Sequence, residues 1–113
     1  MATRNALAAT PPHAVERTLA RLGANLRTAR VRRGLTRAQA AEKIGTGIRA
    51  VADAERGKVS TAVSVYVALL WLYGLEHEFD QLADPAGDEV GVRLAMGRER
   101  TRARGAKALS NDF

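Results

Sequence analysis

An all-α domain of five helices, continued by an extension that holds one short β-strand, is the fold class this chain predicts. Three observations carry the prediction. Apolar residues recur at steps of three and four from Ala14 onward; a single glycine separates two short helical patterns, Arg37 to Ile44 and Gly47 to Gly57; and Val90, Val92, Leu94 and Met96 occupy strictly alternate positions. With 113 residues the chain has room for one compact core. The expected division is a flexible arm over residues 1–13, a helical domain over 14–83, and an extension over 84–113 whose strand lies at about 90–96 and whose end is a basic tail.

The arm is small and polar and carries Pro11-Pro12. Val15, Leu19, Leu22, Leu26 and Ala29 then form one stripe of an amphipathic helix that ends at Gly34, with most of its arginines on other faces. Thr36, followed three residues later by Gln39, is a capping box for a helix from Arg37 to Ile44, and Gly45 supplies the left-handed residue that stops it. The next helix starts near Gly47, a poorer N-cap than Ser or Thr, and ends by Gly57. Ser60-Thr61 can cap a fourth helix running to Gly74. Its apolar residues, among them Val65, Leu69, Leu70, Trp71 and Leu72, surround the axis, so it should be covered on every side. A short acidic helix, Glu76 to Leu82, stops before Asp84-Pro85. The alternating Val90–Met96 strand needs a partner, because one isolated strand is not stable.

Several functions are disfavoured outright. Without cysteine there is no disulfide, thiolate metal site or Cys nucleophile, and His13 and His77 are far apart in sequence. No cofactor, metal or enzymatic constellation is expected: Glu42 and Glu55 are single helix carboxylates, explained by a solvated face and an ion pair. No apolar run reaches the ~18 residues that span a bilayer, and the N-terminus has no signal-like segment, so no membrane association and a cytoplasmic location are expected. The charge is segregated. Residues 1–33 carry +6, residues 34–58 carry +2, residues 59–89 carry −6 with no Lys or Arg, and residues 90–113 carry +4. Such a division suits a basic face turned to a polyanion and an acidic side turned elsewhere.

Leu35-Thr36, Ala40-Ala41-Glu42-Lys43-Ile44-Gly45, Val51 and Glu55-Arg56-Gly57-Lys58 resemble the Cro and phage-repressor class of helix-turn-helix domains, the Xre-type family, without a gap from about Leu22 to Leu82. The chemistry of these positions agrees. Ala41 is small where two helices joined by a tight turn cross, and Ile44 and Val51 fill the wedge between them. The resemblance implies a structural ion pair between Arg30 and Glu55. It also implies a DNA-binding set: Arg37 and Gln39 at phosphates and the groove edge, Ile48, Arg49, Ala52 and Asp53 toward bases, with Lys43, Thr46, Gly47 and Lys58 beside them. Arg49 is the strong donor for a guanine, Ile48 suits a thymine methyl, and Asp53 could accept from cytosine N4. So sparse a recognition helix would draw much of its affinity from cations at phosphates, among them Arg27, Arg32, Arg33 and Arg56.

The partners expected are double-stranded DNA with a palindromic operator and a second copy of the chain. A homodimer would bury the surplus of Val65, Trp71 and Leu72 and pair the strand of Val90, Val92, Leu94 and Met96 with its copy. The C-terminal third, with its alternating strand, basic tail and closing Ser110-Asn-Asp-Phe113, resembles the antitoxin partners of Hip-type kinase toxins, small dimeric proteins that repress their own operon. The leading expectation is therefore a sequence-specific repressor that is the antitoxin of a type II toxin-antitoxin pair. A stand-alone or prophage regulator and a protein-interaction adaptor on a helix-turn-helix fold remain as alternatives.

Overall fold

The computed structural model describes residues 5–111. The chain divides into two compact units, residues 1–79 and 80–113. In the first, a one-turn helix α1 (Ala6–Ala9) precedes α2 (His13–Arg32), α3 (Arg37–Ile44), α4 (Ile48–Glu55) and α5 (Val63–Leu72), and α6 (Glu76–Asp80) runs across the boundary. The core is Leu26 and Ala29 of α2, Ala40 and Ala41 of α3, Val51 and Ala54 of α4, and Tyr66, Leu69, Leu70 and Tyr73 at α5, with Leu19, Leu22, Leu35, Ile44, Val65, Leu72, Leu75 and Phe79 packed around it.

α4 lies among α2, α3 and α5, and small residues let it in. Ala40 and Ala54 are fully buried, and Ala41 nearly so. Gly23 of α2 faces the end of α4 so closely that an added Cβ would stand 2.5 Å from the Ala54 carbonyl oxygen and 2.6 Å from that of Glu55. At Gly57, just past α4, φ is +69°, and a Cβ would also run into the Leu19–Ala20 backbone. Two independent constraints, handedness and space, therefore require glycine there.

The turn between α3 and α4 is built by Gly45, at φ +77°, and by the Thr46 N–H donating to the Ala41 carbonyl at 2.9 Å. The same six-to-one bond ends α2 (Leu35 N–H to Arg30 O, 3.3 Å), α4 (Lys58 N–H to Asp53 O, 3.0 Å) and α5 (Leu75 N–H to Leu70 O, 2.8 Å). α5 starts later than the Ser60-Thr61 reading implied: its N-cap is Ala62, without a side-chain cap. Of the residues assigned to a dimer surface on this helix, Val65 and Leu72 are partly buried against the core, whereas Trp71 is 61% exposed.

The second unit overturns one expectation. Among the described residues there is no β-strand; residues 89–111 form a 23-residue helix, α7 (Glu89–Asn111). The fold is all-helical, and the strand over 90–96 with its dimer pairing is withdrawn. The physical reason is local. Asp88 caps the helix, its Oδ1 accepting from the Gly91 N–H at 3.0 Å while its carbonyl accepts from the Val92 N–H at 3.0 Å. Arg, Leu, Ala, Met and Glu, which dominate the positions that follow, are among the best helix formers. A strand would need a neighbour for its ladder, whereas a helix satisfies its own N–H and C=O groups. On the helix, at about 100° per residue, Val90 and Leu94 share one side and Val92 and Met96 the other. All four are exposed, so they do not make a single apolar face.

Gly23→Ala should destabilise the protein by about 1–3 kcal/mol through overpacking against α4. A Cβ at Gly47 meets nothing within 4 Å, and Gly47→Ser should be neutral or stabilising by a few tenths of a kcal/mol. Urea unfolding of the two variants checks the contrast, and equal midpoints would contradict it.

Candidate nucleic-acid interface

α3, the Gly45 turn and α4 present the residues assigned to DNA, and their placement begins with a carboxylate. Glu55, at the C-terminus of α4, has a side chain only 2% exposed. Arg30 Nε donates to its Oε2 at 2.7 Å, and Arg30 Nη2 to its Oε1 at 3.1 Å. Arg37 Nε, from the first turn of α3, donates to Oε1 at 3.0 Å. Arg30 Nη1 spends a further bond on the Leu35 carbonyl at 2.8 Å. The bidentate hydrogen bond to Glu55 raises the Arg30 pKa above the ordinary arginine value; burial works against it, and the Glu55 charge adds to the rise. One buried carboxylate thus joins the end of α2, the start of α3 and the end of α4.

Arg37 and Gln39 are both engaged within the protein. Gln39 Oε1 accepts from the Thr36 N–H at 2.9 Å, and the Gln39 N–H donates to Thr36 Oγ1 at 3.1 Å, which completes the capping box. Reaching a groove edge would cost Gln39 that bond. Lys43 is exposed in the last turn of α3, Thr46 is half-buried in the turn, and Gly47 is the exposed N-cap of α4.

On α4 the buried side is Val51, Ala54 and Glu55, and Arg49 stands on the opposite side, its side chain 83% exposed; Ile48, at the first position of the helix, is also exposed. Ala52 is half-buried. Asp53, only 13% exposed, is the centre of a cluster rather than a free acceptor. Arg56 donates to it, Lys58 Nζ lies 3.6 Å and Arg49 Nε 3.7 Å from its oxygens. Burial pushes the Asp53 carboxyl up, but the Arg56 hydrogen bond and the charges of Lys58, Arg56 and Arg49 outweigh it, so its pKa falls below the ordinary carboxylate value. A depressed carboxyl pKa means that the cluster is intact above the ordinary value and loosens as pH drops through the folded one. The loop beyond α4 is pinned from below, where the Tyr66 hydroxyl donates to the Lys58 carbonyl at 3.0 Å.

Arg33 is diverted from the surface role expected of it. It donates to the Ala29 carbonyl at 2.9 Å and the Tyr73 carbonyl at 2.8 Å, with its guanidinium 5.4 Å from the centre of the Tyr73 ring. Sequence reasoning missed this contact, the Tyr66 anchor, the close approach at Gly23 and the third arm of Glu55. Each joins positions far apart in sequence and leaves no periodic signal. Gly23 alone was conspicuous, as a glycine inside a helical pattern.

A family model described as a helix-turn-helix domain matches residues 21–82, more than half of the chain. The chain belongs to the helix-turn-helix family. This helix-turn-helix protein is a DNA-binding regulator of the Xre type, and α3 and α4 are the two helices of its motif. Comparison with curated proteins and with solved structures found no match. Among the described residues no helix is long and apolar enough to cross a membrane.

Glu55→Ala should destabilise the domain by about 3–5 kcal/mol, because it leaves Arg30 buried and uncompensated. Replacing both partners, Arg30→Met with Glu55→Leu, should cost less than the single change. Thermal unfolding of the two variants checks the order, and a double variant less stable than Glu55→Ala would refute it.

Proposed function

We propose that this helix-turn-helix protein is a sequence-specific repressor that binds a palindromic DNA site as a dimer and acts by occupying it. The observation that supports this reading best is the outer face of α4. Ile48 and Arg49 stand exposed at its N-terminal half, and Arg56 and Lys58 gather with Arg49 around Asp53. In this reading Arg49 leaves Asp53 to donate to guanine O6 and N7, Ile48 packs on a thymine methyl, and Ala52 gives the backbone room. Lys43, Arg56 and Lys58, with Thr46 and Gly47 at the entry to α4, meet the phosphates. Arg37 and Gln39 act by holding α3 in place, and Asp53 holds its cations toward the duplex.

The dimer is proposed from α5, which is apolar all round and leaves Val63 and Trp71 exposed. A second copy covering them would set two α4 helices about 34 Å apart, one turn of duplex. An antitoxin role for the same repressor now has less behind it. The strand in that resemblance is a helix, and Asp112-Phe113 lie outside the described residues; what still supports a kinase-like toxin as partner is the basic C-terminal composition.

Arg49→Ala should lower affinity for the specific site by about 1–3 kcal/mol and relax preference at one base pair per half-site, with a much smaller loss on random duplex. Fluorescence anisotropy on both duplexes checks this, and equal losses would make Arg49 a phosphate contact. Trp71→Arg should shift the protein from dimer to monomer in sedimentation velocity and weaken binding to the full palindrome more than to a half-site. A wild-type protein that sediments as a monomer would move this surface to a foreign partner.

A further inference from the structure

The role of α7 is not explained by the helix-turn-helix. Arg93, Arg98, Arg100, Arg102 and Arg104 are all exposed along it, and among the described residues none of the five is held in an ion pair. Their arrangement is not uniform. At about 100° per residue, Val90, Leu94, Gly97, Thr101 and Gly105 fall in one stripe. Arg93, Arg100 and Arg104 form a row about 80° to one side of it, and Arg98 and Arg102 a row about 80° to the other. Glu99 falls outside this face, Glu89 stands at its edge one turn before Arg93, and Val92 and Met96 lie behind it. Arg93, Leu94, Gly97, Arg98, Thr101 and Arg102 line one shallow concavity. The stripe is open, since a Cβ at Gly97 or Gly105 would meet nothing within 4 Å.

We infer that α7 is a second nucleic-acid-binding element, which seats its small-residue stripe in the major groove of duplex DNA while its two arginine rows reach the phosphates of the two strands. This rests on the DNA-binding reading of the chain and adds a second contact to it. The dimensions agree. A helix with its side chains is about 10–12 Å across and the major groove about 12 Å wide. Arg93 to Arg104 spans about 16 Å of axis, close to five base pairs. The stripe carries little to read bases with: Leu94, Gly97 and Gly105 offer no side-chain donor, and the Thr101 hydroxyl donates to the Gly97 carbonyl at 2.9 Å. α7 therefore supplies affinity without sequence preference. A second copy of α7 is a poor occupant of the same stripe, because it would set the arginine rows of two helices against each other.

The test uses the full chain and two probes, a duplex selected by the wild-type protein from a random pool and a random-sequence duplex of equal length, each over a salt series. Replacing all five arginines by glutamine should weaken binding to both by at least about tenfold and make the log–log salt slope shallower by about 3–4 per protomer, with the ratio between the duplexes unchanged. Gly97→Leu with Gly105→Leu, which raises helix propensity and keeps every arginine, should also weaken both by filling the stripe. Unchanged affinity and slope on random duplex in the glutamine variant would overturn the proposal. So would loss of self-association in place of DNA binding, or tight duplex binding by the leucine variant. Failure of the wild-type protein to select any sequence would instead count against the sequence-specific reading and leave the random-duplex arm to decide α7.

Discussion

The first unit depends on one buried ion pair. Arg30 and Glu55 meet where α2 and α4 end, both buried from solvent, and the guanidinium also takes the Leu35 carbonyl that leads into α3. Two isolated charges there would each cost several kcal/mol, so either residue alone would be worse than neither. Together, with Arg37 sharing Oε1 of the same carboxylate, they fix three helix ends at one point. That geometry decides which side of α4 is buried and which is offered outward, and so connects core packing to the candidate interface.

Close packing carries the rest of the orientation. α4 has only eight residues, too few to hold a helix by propensity alone. It is held by contact with its neighbours, and that contact needs Gly23, Ala40, Ala41 and Ala54 to be small. The exposed face that results is short and carries few long polar side chains. Asp53 adapts to this by gathering Arg49, Arg56 and Lys58 into one cluster of net positive charge. An acidic residue that would repel phosphate on its own becomes a means of holding cations in place.

The two units differ in how they would meet a polyanion. The helix-turn-helix unit places a few cations with side-chain precision around α4, which suits selection among sequences. α7 carries a regular double row of arginines and little to read a base edge, which suits affinity that is indifferent to sequence. On this view a sparse recognition helix is sufficient, because the task of binding tightly is assigned elsewhere in the chain.

Much of this was legible in the sequence because it is local. The Thr36–Gln39 capping box, the Gly45 turn and the bounds Arg37–Ile44 follow from residues within a few positions of each other, where propensity and capping act alone. The family spacing from Leu35 to Lys58 carried the helix-turn-helix reading, which the match over residues 21–82 shows. The strand over 90–96 failed because apolar alternation and helix propensity pointed in opposite directions, and the Asp88 cap together with self-satisfied backbone bonds decided for the helix. What only the tertiary structure decided is which side chains are already engaged. Arg37 on Glu55, Arg33 on Tyr73 and Asp53 among its cations all read as free polar groups in a linear chain. The Arg37 and Arg33 pairings join helices that sequence periodicity treats as independent, and only packing brings those partners within hydrogen-bond reach; the Asp53 cluster is local to α4 and the turn that ends it.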